Sequence, residues 1–295
     1  MSRLAPRAPD RGLFAGIPGA PTPWTRVRNL AIGALLVALY LWSAQATDFS
    51  LGRLARGVPE MGNLLIRMLP FERVDLPGGG VAWRWSNELL RQQIAFLPTV
   101  WAPLMETLRI AIVSATLGSL LAVPVALLAS RNLVRYPWLY WLARGFMNLL
   151  RTIPDLVLAA VLAGAFGVGV LPGILAVTIF SFTVVAKLLS ESIEAIDPGP
   201  LEAMRAVGAN RLQAIAFGVV PQVLPQYIAY VLYVFEIDVR ASTVLGLVGA
   251  GGIGFTLQTS LRLLNYRAAF MIILVILAVV VLIDTISSRL RERLI

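Results

Sequence analysis

Six long apolar runs constrain this chain more than any other feature of its sequence. They cover residues 29–46, 104–129, 153–170, 172–189, 223–240 and 268–286. Each is near the roughly 20 residues that a helix needs to cross the hydrocarbon of a bilayer. Hydrophobic residues make up 58% of the chain and charged residues only 14%, which is too apolar for a soluble domain. The sequence therefore predicts an all-α membrane protein with six transmembrane helices.

The segments between these runs define the domain organisation. We predict a cytoplasmic N-terminal tail (1–28), a first transmembrane helix (29–46), a periplasmic segment (47–100), a five-helix core (101–288) that contains a cytoplasmic hairpin (190–222), and a cytoplasmic C-terminal tail (289–295). Within the periplasmic segment, Leu76 to Gly80 predicts a turn. Ala44-Gln45-Ala46 resembles a signal-peptidase site, but the basic lead before it is unusually long, so we expect the first span to remain uncleaved.

The distribution of arginine predicts the orientation. The connection from Arg131 to Arg151 carries four arginines and no acidic residue, and the tail after residue 288 carries three arginines against Glu292 alone. The positive-inside rule therefore places both termini, this connection and the 190–222 hairpin in the cytoplasm. The family resemblance described below implies that the membrane is the bacterial inner membrane. Orientation accounts for the net charge of +9, so we predict lipid contact and no nucleic-acid partner.

Missing residue types exclude several kinds of chemistry. The chain has no cysteine and no histidine, which removes thiol nucleophiles, imidazole bases and the usual zinc ligands. A P-loop needs a lysine followed by Ser or Thr, yet the only lysine, Lys187, precedes Leu188. We therefore predict that the chain is not an enzyme and binds no cofactor or metal itself. A membrane-embedded enzyme and a proton-coupled transporter that uses Glu236 or Asp238 stay as alternatives.

The stretch EAMRAVGANRLQAIAFGVVP, residues 202–221, is polar enough to leave the membrane. Gly208 can adopt the left-handed conformation that ends one short helix, Asn210 can cap a second, and Pro221 marks the return of the chain. The pattern predicts a helical hairpin. Spacing alone leaves two interpretations open: an amphipathic loop on the lipid headgroups, or a docking element for a soluble partner.

A resemblance favours docking. Glu202, Ala203, Gly208 and Pro221 have the spacing of the EAA loop of ABC importer permeases, although Met204, Gly218 and Val220 depart from its pattern. In that family the hairpin sits in a groove of an ATPase. The resemblance implies that these four residues couple the chain to a separate ATPase, which binds ATP and Mg.

Over most of residues 100–293 the chain resembles the phosphonate-uptake permeases. The similar segments include RTIPD at 151–155 and FEIDVRASTVLGLVGAGGIG at 235–254. The resemblance implies the fold of a type I ABC importer permease that pairs with a second copy of itself, two ATPase subunits and a periplasmic substrate-binding protein. Phosphonate is the first expected cargo, with phosphite or phosphate next. Methionine importers share part of the glycine-rich tail and stay as an alternative.

The substrate path has three candidate parts. Gly249, Gly251 and Gly252 follow a predicted span, where glycines allow either close helix packing or, as the resemblance implies, an outer gate. Glu236 and Arg240 are four residues apart and predict a pair that faces protein or water, with a structural role or a part in anion passage. Arg109 offers positive charge near the outer end of the second span or is a snorkelling interfacial arginine.

Overall fold

The computed structural model describes residues 23–47, 50–77 and 79–294, most of them helical. Residues 1–22, most of the predicted N-terminal tail, lie outside the described residues. The chain forms two compact units, one ending at Asn63 and the other beginning at Leu64.

Two helices begin the described chain. Helix α1, Pro23–Ala46, starts six residues before the predicted first span, and none of its apolar stretch Val27–Ala46 is buried. Helix α2, Leu51–Met68, was not predicted. Its apolar side chains recur at helical spacing and are 56–65% exposed: Leu54, Val58, Met61 and Leu65. Such an amphipathic helix, with arginines on its other side, is typical of a segment that lies along a membrane surface.

A β-hairpin follows α2. Strands β1, Phe71–Asp75, and β2, Val81–Trp85, are antiparallel, with Phe71 opposite Trp85 and Asp75 opposite Val81. The connection between them contains a turn at the predicted position, where the Gly79 amide donates a hydrogen bond to the Leu76 carbonyl.

The second unit is a helical bundle built around three long helices. These are α3, Asn87–Leu128; α6, Val170–Glu194; and α9, Val220–Leu245. Small residues let them approach closely: a Cβ added to Gly118 of α3 would lie 2.8 Å from the backbone nitrogen of Phe182 on α6. The remaining helices are α4 (Pro137–Arg151), α5 (Asp155–Phe166), α7 (Pro198–Ala206), α8 (Arg211–Ala214), α10 (Gly252–Arg262) and α11 (Tyr266–Glu292).

The helical fold agrees with the prediction, but six spans are not confirmed. Four described helices are long and apolar enough to cross a membrane: α1, α3, α6 and α11. Helices α4 and α5 would make a fifth span if they cross together, although they are bent by 82°. Helix α9 is not among these spans, because prolines and glutamines near its start and Glu236, Asp238 and Arg240 farther along lower its hydropathy.

The region between α3 and α6 differs from the prediction. Residues 137–151, expected to be a cytoplasmic connection, form helix α4, and the span predicted at 153–170 contains only the 12-residue helix α5. Two breaks explain this. Pro154 cannot continue a helix that enters from α4, and α5 ends at Gly167, whose φ of +87° is not helical.

Candidate coupling and pathway sites

The helical hairpin (198–219) has the local structure that its sequence predicts. Asp197 caps α7 by accepting a hydrogen bond from the Gly199 amide, and Gly208 has a φ of +78°. Asn210 and Gln213 form a reciprocal capping box at the start of α8. A five-residue π-helical turn, Ile215–Val219, then leads into α9.

One side of the hairpin is buried against the bundle. Leu201, Ala214 and Val219 pack with the ends of α3 and α6, and Met204 packs against the same cluster. A Cβ added to Gly218 would lie 3.1 Å from the Leu201 Cα. Met204 and Gly218, two of the departures from the EAA pattern, are therefore packing residues on the inner side of the hairpin.

The other side is open. Glu202 and Ala203 are exposed, and three large apolar side chains of the same hairpin are also exposed: Val207 (78%), Leu212 (78%) and Phe217 (68%). Large apolar side chains exposed on a polar hairpin are typical of an interaction surface. Of the four predicted coupling residues, Glu202, Ala203 and Gly208 thus lie on the open side, and Pro221 lies in the first turn of α9.

Hydrogen bonds fix the hairpin to the bundle. The Asp197 amide donates to Gln222 Oε1 at 3.1 Å, and Gln222 Nε2 donates to the Asp197 carbonyl at 3.2 Å. Arg211 donates to the carbonyl of Leu133, in the connection after α3, at 2.5 Å. The hairpin is therefore bonded directly to the start of α9 and to the connection that follows α3.

A charged cluster joins α9 to α11: Glu236, Arg240, Asp284 and Arg291. Glu236, whose side chain is 8% exposed, accepts hydrogen bonds from Arg240 at 2.5 Å and from Arg291 at 2.9 Å. Arg240 lies 3.9 Å from Asp284. The predicted Glu236–Arg240 pair is thus confirmed, but sequence spacing could not reveal Arg291, which comes from 55 residues away.

The cluster lies at one end of α11. The apolar run of this helix covers residues 268–283 and stops at Asp284, and the contacts to Arg291 lie beyond it. Side chains of Arg240 and Asp284 are about half exposed, at 47% and 52%. About half of each of these two side chains is therefore open to the surroundings of the bundle.

The glycine turn (246–252) follows α9 at the end of the bundle away from the hairpin. Gly249, Gly251 and Gly252 all have positive φ, from +70° to +92°. An added Cβ on Gly251 would lie 2.8 Å from Glu106 Oε1. All three positions therefore favour glycine for backbone conformation, and Gly252 also lacks space for a side chain, because an added Cβ would overlap the buried Thr107 Oγ1.

The turn is held by two neighbouring elements. The buried hydroxyl of Thr107 on α3 accepts a hydrogen bond from the Ile253 amide at 2.8 Å, and the Gly169 amide before α6 donates to the Gly249 carbonyl at 2.9 Å. Close packing is thus present in this structure, as one of the two interpretations predicts.

Arg109 lies on α3 two residues from Thr107, which contacts the glycine turn. It is exposed on α3 and makes no salt bridge with any described residue. The pair of Lys187 and Glu191, predicted as an ordinary helix-surface contact, is present at 3.9 Å.

Asp238 has a buried partner that the sequence did not predict. Its carboxylate is fully buried between helices, and the Ser181 hydroxyl lies 2.7 Å and 2.6 Å from its two oxygens. The sequence shows a carboxylate within an apolar run, but it does not show that the partner of this carboxylate lies on α6.

This arrangement is that of a multi-pass helical membrane protein with an exposed hairpin at one end of its bundle. Family comparison gives the same class. Residues 118–295 match the family described as "Binding-protein-dependent transport system inner membrane component", and the chain belongs to this family of transport permeases.

Several curated proteins are similar to this chain. The Phosphate-import permease protein PhnE of Mycolicibacterium smegmatis is 40% identical over 190 residues, 64% of this chain but only 36% of that protein. The Phosphite transport system permease protein PtxC of Stutzerimonas stutzeri is 42% identical over 64% of this chain and 69% of its own length. HtxC of the same species, named for a phosphite transport system, is 34% identical over 90% of this chain and 87% of its own length.

Among solved structures, a chain of an inward-facing methionine ABC transporter is similar to this one. Its TM-score is 0.57 with 22% identity, over 71% of this chain and 99% of that chain. At this identity the likeness shows the fold alone.

Proposed function

We propose that this chain is the transmembrane subunit of an ATP-driven importer for phosphonate, phosphite or phosphate. The similar proteins named for phosphite and phosphate transport support this cargo class. The likeness to a methionine transporter extends to the fold only, so nothing in the structure favours methionine.

The observation that carries the proposal is the hairpin, which is hydrogen-bonded to the bundle on one side and exposed on the other. Its buried side is tied to α9 and to the connection after α3, and its open side offers Glu202, Ala203 and exposed apolar side chains. A separate ATPase that binds this open side would move α9 when it closes on ATP. ATP and Mg belong to that partner.

The complete importer contains further subunits. A second copy of the chain forms the other half of the pathway, each copy engages one ATPase subunit, and a periplasmic binding protein delivers the anion. Lipid surrounds the apolar helices. Nucleic acid has no part in this function.

The proposed orientation puts the hairpin and both termini in the cytoplasm. Segments predicted to be cytoplasmic contact one another at one end of the bundle, where Arg211 meets Leu133 and Arg144 meets Glu194. Helix α9 crosses the membrane inside the bundle, because Glu236 and Asp238 have protein partners rather than lipid neighbours.

Within the pathway, we assign the glycine turn to the outer gate. Its positive-φ glycines can change conformation at low steric cost, and its contacts to Thr107 and Gly169 hold it in its present conformation. Arg109, Glu236 and Arg240 supply charge along the route of the anion.

Reconstitution tests the proposal. The chain is co-expressed with its ATPase, purified and placed in liposomes with the binding protein and ATP, and uptake of methylphosphonate, phosphite and phosphate is measured beside methionine. ATP-dependent uptake of a phosphorus oxyanion is expected. Uptake without ATP, or of methionine instead, would contradict it.

A further inference from the structure

Two neighbouring cavities lie at the start of α11, away from the charged cluster. The larger, of 330 Å³, is lined by Arg67, Arg267 and the turn residues 264–266. The smaller, of 170 Å³, has Gln92, Gln93, Asn265 and Arg267 among its lining residues. Arg267 and Asn265 therefore face both cavities.

Arg267 carries an unused buried donor. Its Nη2 donates to the Phe71 carbonyl at 3.1 Å and so ties the β-hairpin to α11. Its Nε is buried and has no hydrogen-bond partner among the described residues. A buried N–H of a charged group without an acceptor is costly, so a shift of the side chain that brings Nε to an acceptor in the cavity would be favourable.

The other polar groups around the larger cavity are also donors. Arg67 forms no salt bridge with any described residue, and the Asn265 Oδ1 is already occupied by the Ala268 amide, which leaves its NH₂ group available. The first amides of α11, at Tyr266 and Arg267, have no partner within the helix. No carboxylate is among the lining residues to balance these groups.

We infer that Arg67 and Arg267 form a binding site for a tetrahedral phosphorus oxyanion. Two guanidinium groups and a helix N-terminus match the several oxygens and negative charge of such an anion. The choice of phosphorus over other anions rests on the proposed cargo. The same chemistry has two sources, a free phosphorus oxyanion on its way to the pathway or the phosphate of a lipid headgroup.

The test uses the full chain with its partner ATPase, without ATP. Thermal unfolding in detergent is followed during titration with phosphite at constant ionic strength, with chloride and sulfate as reference anions. Phosphite is expected to raise the unfolding temperature of the wild type. Arg67→Gln, which leaves the tie to Phe71 intact, should weaken the apparent affinity roughly tenfold, the value of one charged hydrogen bond.

Two further variants make the result specific. Arg267→Lys keeps the charge but loses the planar Nε–H donor, so it should also bind phosphite weakly. Arg84→Gln, at an exposed arginine of β2 that lines neither cavity, should bind as the wild type does.

A lipid arm distinguishes the two sources. Native mass spectrometry counts phospholipids retained by the wild type and by Arg67→Gln. A lipid lost specifically in the variant, with phosphite binding only after delipidation, identifies the headgroup as the ligand. Phosphite binding in lipid-containing nanodiscs identifies the free anion.

The inference is overturned if Arg67→Gln changes neither phosphite binding nor lipid retention, or if sulfate binds as well as phosphite. If phosphite binding depends on the arginines but ATP-driven uptake fails, the result counts against the proposed function and not against this inference.

Discussion

The carboxylate of Glu236 on α9 accepts a hydrogen bond from Arg291 on α11 at 2.9 Å, in addition to the one from Arg240 one turn away. The nearly buried carboxylate thus connects the helix that follows the hairpin to the last helix of the bundle. Removing it leaves two guanidinium groups without their main partner.

A double-mutant cycle should show that the contact between helices stabilises the fold. We expect a Glu236–Arg291 coupling energy well above the roughly 0.3–0.5 kcal/mol of an exposed helix pair. The cycle uses Glu236→Gln and Arg291→Gln, singly and together, and measures unfolding of the purified protein. Lys187 and Glu191, an exposed pair at 3.9 Å, provide the matched control. Equal coupling in the two cycles would contradict the prediction.

Arg240 can be tested separately for a part in anion passage. The double variant Glu236→Gln, Arg240→Gln removes a buried charge together with one partner, and Arg291 keeps its contact with the Ser288 hydroxyl. Expression should therefore recover relative to Glu236→Gln alone. If Arg240 meets the anion, ATP-dependent uptake stays low in the double variant. Full uptake would leave Arg240 a purely structural role.

Gly208 should be sensitive to any side chain because of its backbone alone. A Cβ on Gly208 meets nothing within 4 Å, yet φ is +78°, so Gly208→Ala should cost about 1–2 kcal/mol locally. Gly145→Ala is the control: that site is equally open but lies within α4, where alanine should stabilise the helix by about 0.5–1 kcal/mol.

The functional consequence should be larger for a branched side chain at the hairpin. Gly208→Val is expected to abolish ATP hydrolysis stimulated by the binding protein, while the chain still inserts in the membrane. Assays of ATPase activity and of membrane protein yield separate these effects. Normal assembly and transport by Gly208→Val would refute the docking role.

The Thr107 hydroxyl should be required to hold the glycine turn. Thr107→Val keeps the shape of the side chain but leaves the buried Ile253 amide without its acceptor, at a cost of about 1–3 kcal/mol. Thr107→Ser retains the acceptor and should unfold within a few degrees of the wild type. Thermal unfolding of both variants decides the point, and equal stability of the two would show that the hydrogen bond is unimportant.

The orientation can be tested by labelling introduced cysteines, and the chain itself adds no background labelling because it contains no cysteine. Single cysteines are placed at Leu263, which is 75% exposed beyond α10, and at exposed Ala206 on the hairpin. A membrane-impermeant maleimide added to spheroplasts should label Leu263→Cys, whereas Ala206→Cys should react only after lysis. The reverse pattern would invert the proposed topology.

The sequence alone determined the helical class and the local structure of the hairpin. Apolar runs near the bilayer thickness predicted membrane helices, and Gly208 and Asn210 predicted a left-handed turn and a helix cap. These features depend on the composition of a run or on backbone preferences over a few residues. Such information is local, so it can be read along the chain.

Tertiary structure decided how these segments are used. The break of α4 from α5 and the composition of α9 leave six spans unconfirmed, and length and hydropathy alone do not show how polar helices are accommodated within a bundle. Partners distant in sequence, such as Ser181 for Asp238 and Arg291 for Glu236, appear only when helices pack. Helical spacing predicts contacts three or four residues apart, whereas the stability of a buried charge depends on whichever helix lies opposite it.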